Sequence, residues 1–117
     1  MSNDIFDLKK LKSAWDKGEG SMLMNWFADD FEQTEIDEDT PPNNPRKRTK
    51  AEYAKMVEGG LSSGVKMEIY NLVPGQQMAA YSFTCHMPNG GIMVGNSILE
   101  IQGGKIVKET TVQARDK

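Results

Sequence analysis

Three turn-forming pairs, Pro74-Gly75, Asn89-Gly90 and Gly103-Gly104, punctuate the second half of the chain, and this spacing constrains the fold more than any other feature. They separate four runs, Val65–Val73, Gln77–Met87, Ile92–Ile101 and Lys105–Ala114, that carry the β-branched and aromatic residues favoured in strands. Connections this short suit a long antiparallel meander, and Asn-Gly is a strong signal for a two-residue type I′ hairpin.

Ahead of the meander the apolar spacing becomes helical. Ile5, Leu8, Leu11 and Trp15 predict a first helix of about four turns that Gly18 terminates. Met22, Leu23, Trp26 and Phe27 predict a short second helix that stops at Asp29-Asp30. The segment Phe31–Ile36 reads as a strand with Phe31, Gln33 and Glu35 on one face and Glu32, Thr34 and Ile36 on the other. Residues 37–48 predict an irregular loop, because Pro41, Pro42 and Pro45 exclude regular structure. Thr49-Lys50-Ala51-Glu52 has capping-box spacing and opens a third helix through Tyr53, Met56 and Val57 to Gly59-Gly60. Helices followed by a meander predict an α+β domain, with the helices gathered on one face of a curved sheet.

A chain of 117 residues holds one such domain, spanning 1–117. With 38% apolar and 26% charged residues it can form a modest core rather than remain disordered. No apolar run approaches the roughly 20 residues of a membrane span. The start Met1-Ser2-Asn3-Asp4 lacks the features of a signal peptide, so a cytoplasmic location is expected. A net charge of -3 offers no general field for phosphate backbones, and neither nucleic acid nor membrane is expected as a partner. The single cysteine, Cys85, and single histidine, His86, exclude a disulfide within the chain and a structural zinc site. No Walker loop, dinucleotide fingerprint or serine elbow is present, and Asp37-Glu38-Asp39 has Pro42 and Arg48 where a calcium loop needs Gly and Glu. No metal and no cofactor is therefore expected. The basic group Arg46-Lys47-Arg48 with Lys50 is read as offsetting the acidic stretch from Asp29 to Asp39, with anion binding at the helix start as the alternative.

A two-residue Asn89-Gly90 turn pairs Met87 with Ile92, His86 with Met93, Thr84 with Gly95 and Ser82 with Ser97. One hairpin face then carries Ser82, Thr84, His86, Met93, Ser97, Leu99 and Ile101. The other carries Tyr81, Phe83, Cys85, Met87, Ile92, Val94 and Ile98. The helices can cover only one. If they cover the first, the apolar second face meets another copy of the chain, which predicts a homodimer through the sheet. In the alternative, Tyr81, Phe83 and Cys85 are core and His86 is exposed.

The run Trp26-Phe27-Ala28-Asp29-Asp30-Phe31, then a strand, a Pro-rich loop, a capped helix and the closing Gly103-Gly104-Lys105-Ile106-Val107, resembles the nuclear-transport-factor-2-like superfamily. Within it, the order is similar to the SnoaL-like polyketide cyclase and ketosteroid-isomerase-like families. The resemblance implies a cone-shaped α+β barrel, three N-terminal helices packed on a strongly curved antiparallel sheet around a pocket, often as a dimer. It also implies a carboxylate base on the strand after Phe-Ala-Asp-Asp, a place that falls on Glu35. A polar cavity residue on the last strand falls on Glu109, with Thr111 and Gln113 following it inward. The tyrosine and protonated aspartate of the isomerase oxyanion hole fall on Leu11 and on Ser97 or Asn96, so steroid isomerisation is not expected.

The expected pocket thus gathers Glu35, His86 and Glu109 as catalytic candidates, with Ser97 and Thr111, against Trp15, Phe27, Tyr53, Met56 and Met67. His86 beside a glutamate would make an acid–base pair near neutral pH. The expected ligand is a small, partly apolar organic molecule. The expected function is a cofactor-free isomerase, cyclase or hydrolase with a pocket carboxylate as general base, and the alternative is a non-catalytic binding or assembly module of the same fold.

Overall fold

Helix α1 (Leu8–Lys17) begins at Asp7, whose side chain accepts from the Lys9 amide at 2.7 Å, and ends at Gly18 in the left-handed region at φ 69°. Residues 6–115 are described in this computed structural model, and Ile5 lies outside them. The helix turns Leu8, Leu11 and Ala14 inward. Gly20–Leu23 forms only a single turn, α2, continued by a 3-10 turn over Met24–Trp26. The expected second helix stops early because Phe27 pairs with Ile106 and opens strand β1 (Phe27–Ile36) instead. Trp26 and Phe27 are still buried.

Strand β2 (Arg46–Thr49) takes the last part of the expected loop, and α3 (Lys50–Ser62) follows at once, so only two helices exceed one turn and α3 follows two strands rather than preceding the sheet. The capping box is present. Thr49 Oγ1 accepts from the Glu52 amide at 3.2 Å, and Glu52 accepts from the Thr49 amide at 2.8 Å. The remaining strands are β3 (Lys66–Val73), β4 (Met78–His86), β5 (Ile92–Gln102) and β6 (Lys105–Arg115).

These six strands form one sheet in the order β2-β1-β6-β5-β4-β3. The meander from β3 to β6 is antiparallel throughout, but β1 runs parallel to β6, so the sheet is mixed and not purely antiparallel. Parallel pairing is open to β1 because the whole of α3 and β3–β5 lies between it and β6 in sequence, which supplies the long crossover such a pair needs.

The β4–β5 hairpin differs from expectation by one residue. Met87 N–H donates to Gly91 O at 2.8 Å and Gly90 sits at φ 90°, so the loop is the three residues Pro88, Asn89 and Gly90. Three-residue loops closed by a left-handed glycine are the next most common hairpin after the two-residue kind. His86 consequently pairs with Ile92, Cys85 with Met93, Phe83 with Gly95 and Tyr81 with Ser97. A one-residue slip exchanges the faces of a whole strand. Tyr81 and Phe83 are core, Cys85 is half-buried beside them, and His86 points outward with Ser82 and Thr84. The face expected for β5 is unchanged, with Ser97, Leu99 and Ile101 buried.

Gly95 is the small residue that this register requires. A Cβ there would lie 2.7 Å from the tip of the Phe83 ring and 2.4 Å from the Val112 carbonyl oxygen, so any side chain displaces the ring or the neighbouring strand. The helices cover the inner sheet face. The outer face of β5 and β6 leaves Val94, Ile98 and Val112 about half exposed, with Ile92 two residues from Val94 on β5. Among the described residues no helix is long and apolar enough to cross a membrane.

Candidate functional site

Between α3, the Trp15 end of α1 and the inner sheet face lies a cavity of about 350 Å³. Trp15, Val57, Leu61, Val65, Met67 and Phe83 supply apolar wall, and Gln33, Glu35, Arg48, Ser97, Glu109 and Thr111 a polar one. That proportion of apolar lining to a few converging polar groups is the usual composition of a small-molecule site.

Register explains why the polar groups converge. Gln33 pairs with Glu109 and Glu35 with Thr111 across β1 and β6, Ser97 pairs with Thr111 across β5 and β6, and Arg46 and Arg48 pair with Glu35 and Gln33 across β2 and β1. Side chains at alternating positions share a face, so two adjoining rows of the sheet deliver the set.

Glu109 is 3% exposed. Its Oε1 accepts from Tyr53 OH at 3.0 Å, and its Oε2 accepts from Ser97 Oγ at 2.8 Å and Thr111 Oγ1 at 3.0 Å. Burial raises its pKa above the ordinary carboxyl value of 4.5, against the pull of the three hydroxyls, and the nearby Glu35 charge adds to the rise. The same burial, with the Glu109 charge, holds Tyr53 and Tyr81 well above 10. Both phenols are therefore neutral donors at any physiological pH.

Glu35 faces the same cavity but has charged partners. Its Oε2 meets Arg46 Nη1 and, at 2.9 Å, Arg48 Nη1, while Oε1 accepts from Gln113 Nε2 at 2.7 Å. Arg48 Nη1 also donates to Gln33 Oε1 at 2.8 Å, and Gln33 Nε2 donates to Thr111 Oγ1 at 3.2 Å, which joins the two carboxylates through one chain of contacts. The Glu35 hydrogen bond raises the Arg46 pKa further. Asp37, which also receives Arg46, is held below 3.8 chiefly by the Thr40 hydroxyl. Among the described residues no buried side-chain polar atom lacks a partner.

Of the residues singled out in the sequence, Glu35, Glu109, Trp15, Tyr53, Met56, Met67, Ser97 and Thr111 line this cavity. His86 does not. The hairpin register carries it to the outer face, half exposed, with Nε2 3.5 Å from Glu68. Phe27 is also excluded from the wall, since its ring lies in the core behind Tyr53, stacked at a centroid distance of 5.2 Å. Arg46, Arg48 and Gln33 join the site unforeseen. Alternation along β1 already turned Gln33 inward, and two arginines at i and i+2 beside an acidic strand are a signal for cross-strand pairing with it.

No protein-family model matches the sequence, and no curated protein does. Solved structures do match. An NTF2-like protein of unknown function from Mesorhizobium loti superposes with a TM-score of 0.76 at 11% identity, over 91% of this chain and 86% of that one. A proposed ketosteroid isomerase from Kribbella flavida gives 0.70 at 16%, over 91% and 73%. A proposed polyketide cyclase from Streptomyces antibioticus gives 0.67 at 17%, over 91% and 88%. The chain has the nuclear-transport-factor-2-like fold, shared with SnoaL-like and ketosteroid-isomerase-like proteins, and at these identities the likeness establishes the fold alone.

Proposed function

We propose that the chain binds a small, largely apolar organic molecule in this cavity and moves a proton on it without a cofactor, as an isomerase, cyclase or hydrolase does, with Glu109 as the acid–base group. The observation that carries this reading is the state of Glu109. It is a buried carboxyl on the polar wall of a part-apolar cavity, its pKa raised by burial and its oxygens met by three hydroxyls, and a carboxyl raised in this way is suited to take and return a proton. When Glu109 is protonated and donates to Tyr53 or to Ser97, the hydroxyl that accepts can turn its own proton to a ligand oxygen.

Glu35, where the fold resemblance put the base, has a different part in this reading. Its oxygens are taken up by Arg46, Arg48 and Gln113, so it holds the guanidinium of Arg48 against Gln33 and fixes the far end of the polar wall. A thermal-shift screen against small carbonyl compounds finds the ligand class, since a compound at about 100 times its dissociation constant adds roughly 2.7 kcal/mol. Glu109→Gln then separates binding from chemistry: the expected variant keeps the shift and loses turnover. Retained turnover overturns the acid–base role.

A specific observation favours a second reading, a module that binds without reacting. Every buried polar side-chain atom among the described residues already has a hydrogen-bond partner within the chain. In that case Glu109→Gln leaves the only measurable property, affinity, nearly unchanged.

The exposed apolar side chains Val94, Ile98 and Val112 on the outer sheet face support a homodimer formed by two such faces. Light scattering at micromolar concentration should give twice the chain mass, and Ile98→Lys should return a monomer without altering cavity binding. A monomeric wild type at that concentration removes the dimer.

A further inference from the structure

Five of the side chains on the cavity carry sulfur: Met56, Met67, Cys85, Met87 and Met93. Three of them form one row, because Cys85 on β4 stands directly opposite both Met67 on β3 and Met93 on β5. Directly opposite Cβ atoms in a sheet are about 4.5–5.5 Å apart. Two unbranched thioethers at that distance can swing their sulfurs toward the thiol between them through three rotatable bonds each. Met87, two residues beyond Cys85 in sequence, and Met56 on α3 line the same cavity.

We propose that the row Met67–Cys85–Met93 is a binding site for a monovalent soft metal ion, copper(I), held by one thiolate and two thioethers. Sulfur ligands of this kind select copper(I) over the harder divalent ions, which want imidazole or carboxylate. A thiolate and a monovalent ion together are neutral, and a half-buried position in an apolar wall tolerates a neutral pair better than a net charge. Binding forms the copper–sulfur bond and releases the thiol proton to solvent, with no change in oxidation state. His86 adjoins Cys85 in sequence but lies on the opposite sheet face, where it cannot join the set.

The site shares the cavity with the organic ligand but does not rest on that reading, and its test is independent of turnover. Under anaerobic, reducing conditions the intact chain is titrated with copper(I) in competition with a chromogenic chelator, and the product is examined by X-ray absorption at the copper edge. One equivalent bound with a sulfur-only ligand shell is expected. Cys85→Ser should abolish that equivalent, His86→Gln should leave it unchanged, and Met67→Leu/Met93→Leu should weaken it about tenfold or more, the scale on which supporting groups tune metal affinity. Thermal melting of each variant checks that it is folded. The proposal is overturned if no equivalent is retained, if nitrogen or oxygen appears in the shell, or if the double leucine variant binds as tightly as wild type, which would mark a lone thiol.

Discussion

Replacing Glu109 by Gln should change how stability depends on pH, in a direction fixed by burial. The carboxyl is 3% exposed and its pKa in the folded chain lies above the ordinary 4.5. A group raised on folding contributes its stability in full below the unfolded value and loses it as pH rises toward the folded one. Between the two values the folded chain holds a proton that the unfolded chain has released, so each pH unit costs about 1.4 kcal/mol. Gln does not titrate. It keeps an acceptor for Tyr53 and offers a donor to Ser97 or Thr111, whose hydroxyls can reverse their roles. The difference in unfolding free energy between variant and wild type should therefore move in the variant's favour from about pH 4.5 upward, by up to about 1.4 kcal/mol per unit, and level off once the folded pKa is passed. For a domain of this size each kcal/mol is on the order of 4 °C in Tm. Urea unfolding and calorimetry at half-unit steps from pH 4 to 8 measure it. Asp37, Glu38 and Glu52, whose pKa values are lowered by their hydrogen bonds, titrate alike in both proteins and cancel. A difference that stays flat, or that moves toward the wild type as pH rises, would show that the three hydroxyls hold Glu109 as an anion and would refute the acid–base assignment.

Gly95→Ala should cost about 1–3 kcal/mol of stability in chemical denaturation, because the new methyl meets the Phe83 ring and the Val112 carbonyl; a neutral result would mean that the sheet relaxes freely at the cavity floor. Arg48→Ala should cost about 1–3 kcal/mol, since Gln33 loses its donor while Glu35 keeps Arg46 and Gln113. The same change should weaken ligand affinity only if the polar wall contacts the ligand, which calorimetric titration reports. His86→Ala should leave cavity binding unaltered, and a lost thermal shift in that variant would contradict the hairpin register.

Much of the architecture could be read from local chemistry. The capping box at Thr49 and the left-handed glycine at Gly18 are short-range signals, and both mark element ends in the structure. Alternation along β1 placed Phe31, Gln33 and Glu35 on the buried face because a strand's period allows nothing else. The parallel pairing of β1 with β6 left no local trace, since its partners are more than 70 residues apart in sequence. The hairpin was harder still. Asn89-Gly90 serves a two-residue turn or the end of a three-residue one, and the choice decides the face of every β4 side chain. His86 left the pocket and Phe83 and Cys85 entered it for that single reason. Glu35 and Glu109 both reach the cavity wall, and Glu35 is the one saturated by arginines because β2 pairs outside β1, a pairing that the alternate spacing of Arg46 and Arg48 signals without fixing its register.

Methionine methyl resonances offer the most direct test of whether the cavity is a binding site. Met56, Met67, Met87 and Met93 line it, while Met22, Met24 and Met78 do not. With methyl-labelled methionine, titration with a panel of neutral aromatic and aliphatic ketones should shift the first group and leave the second in place, in wild type and in Glu109→Gln alike. Shifts confined to Met22, Met24 or Met78, or none with any member of the panel, would contradict a small-molecule site on the inner face of this sheet.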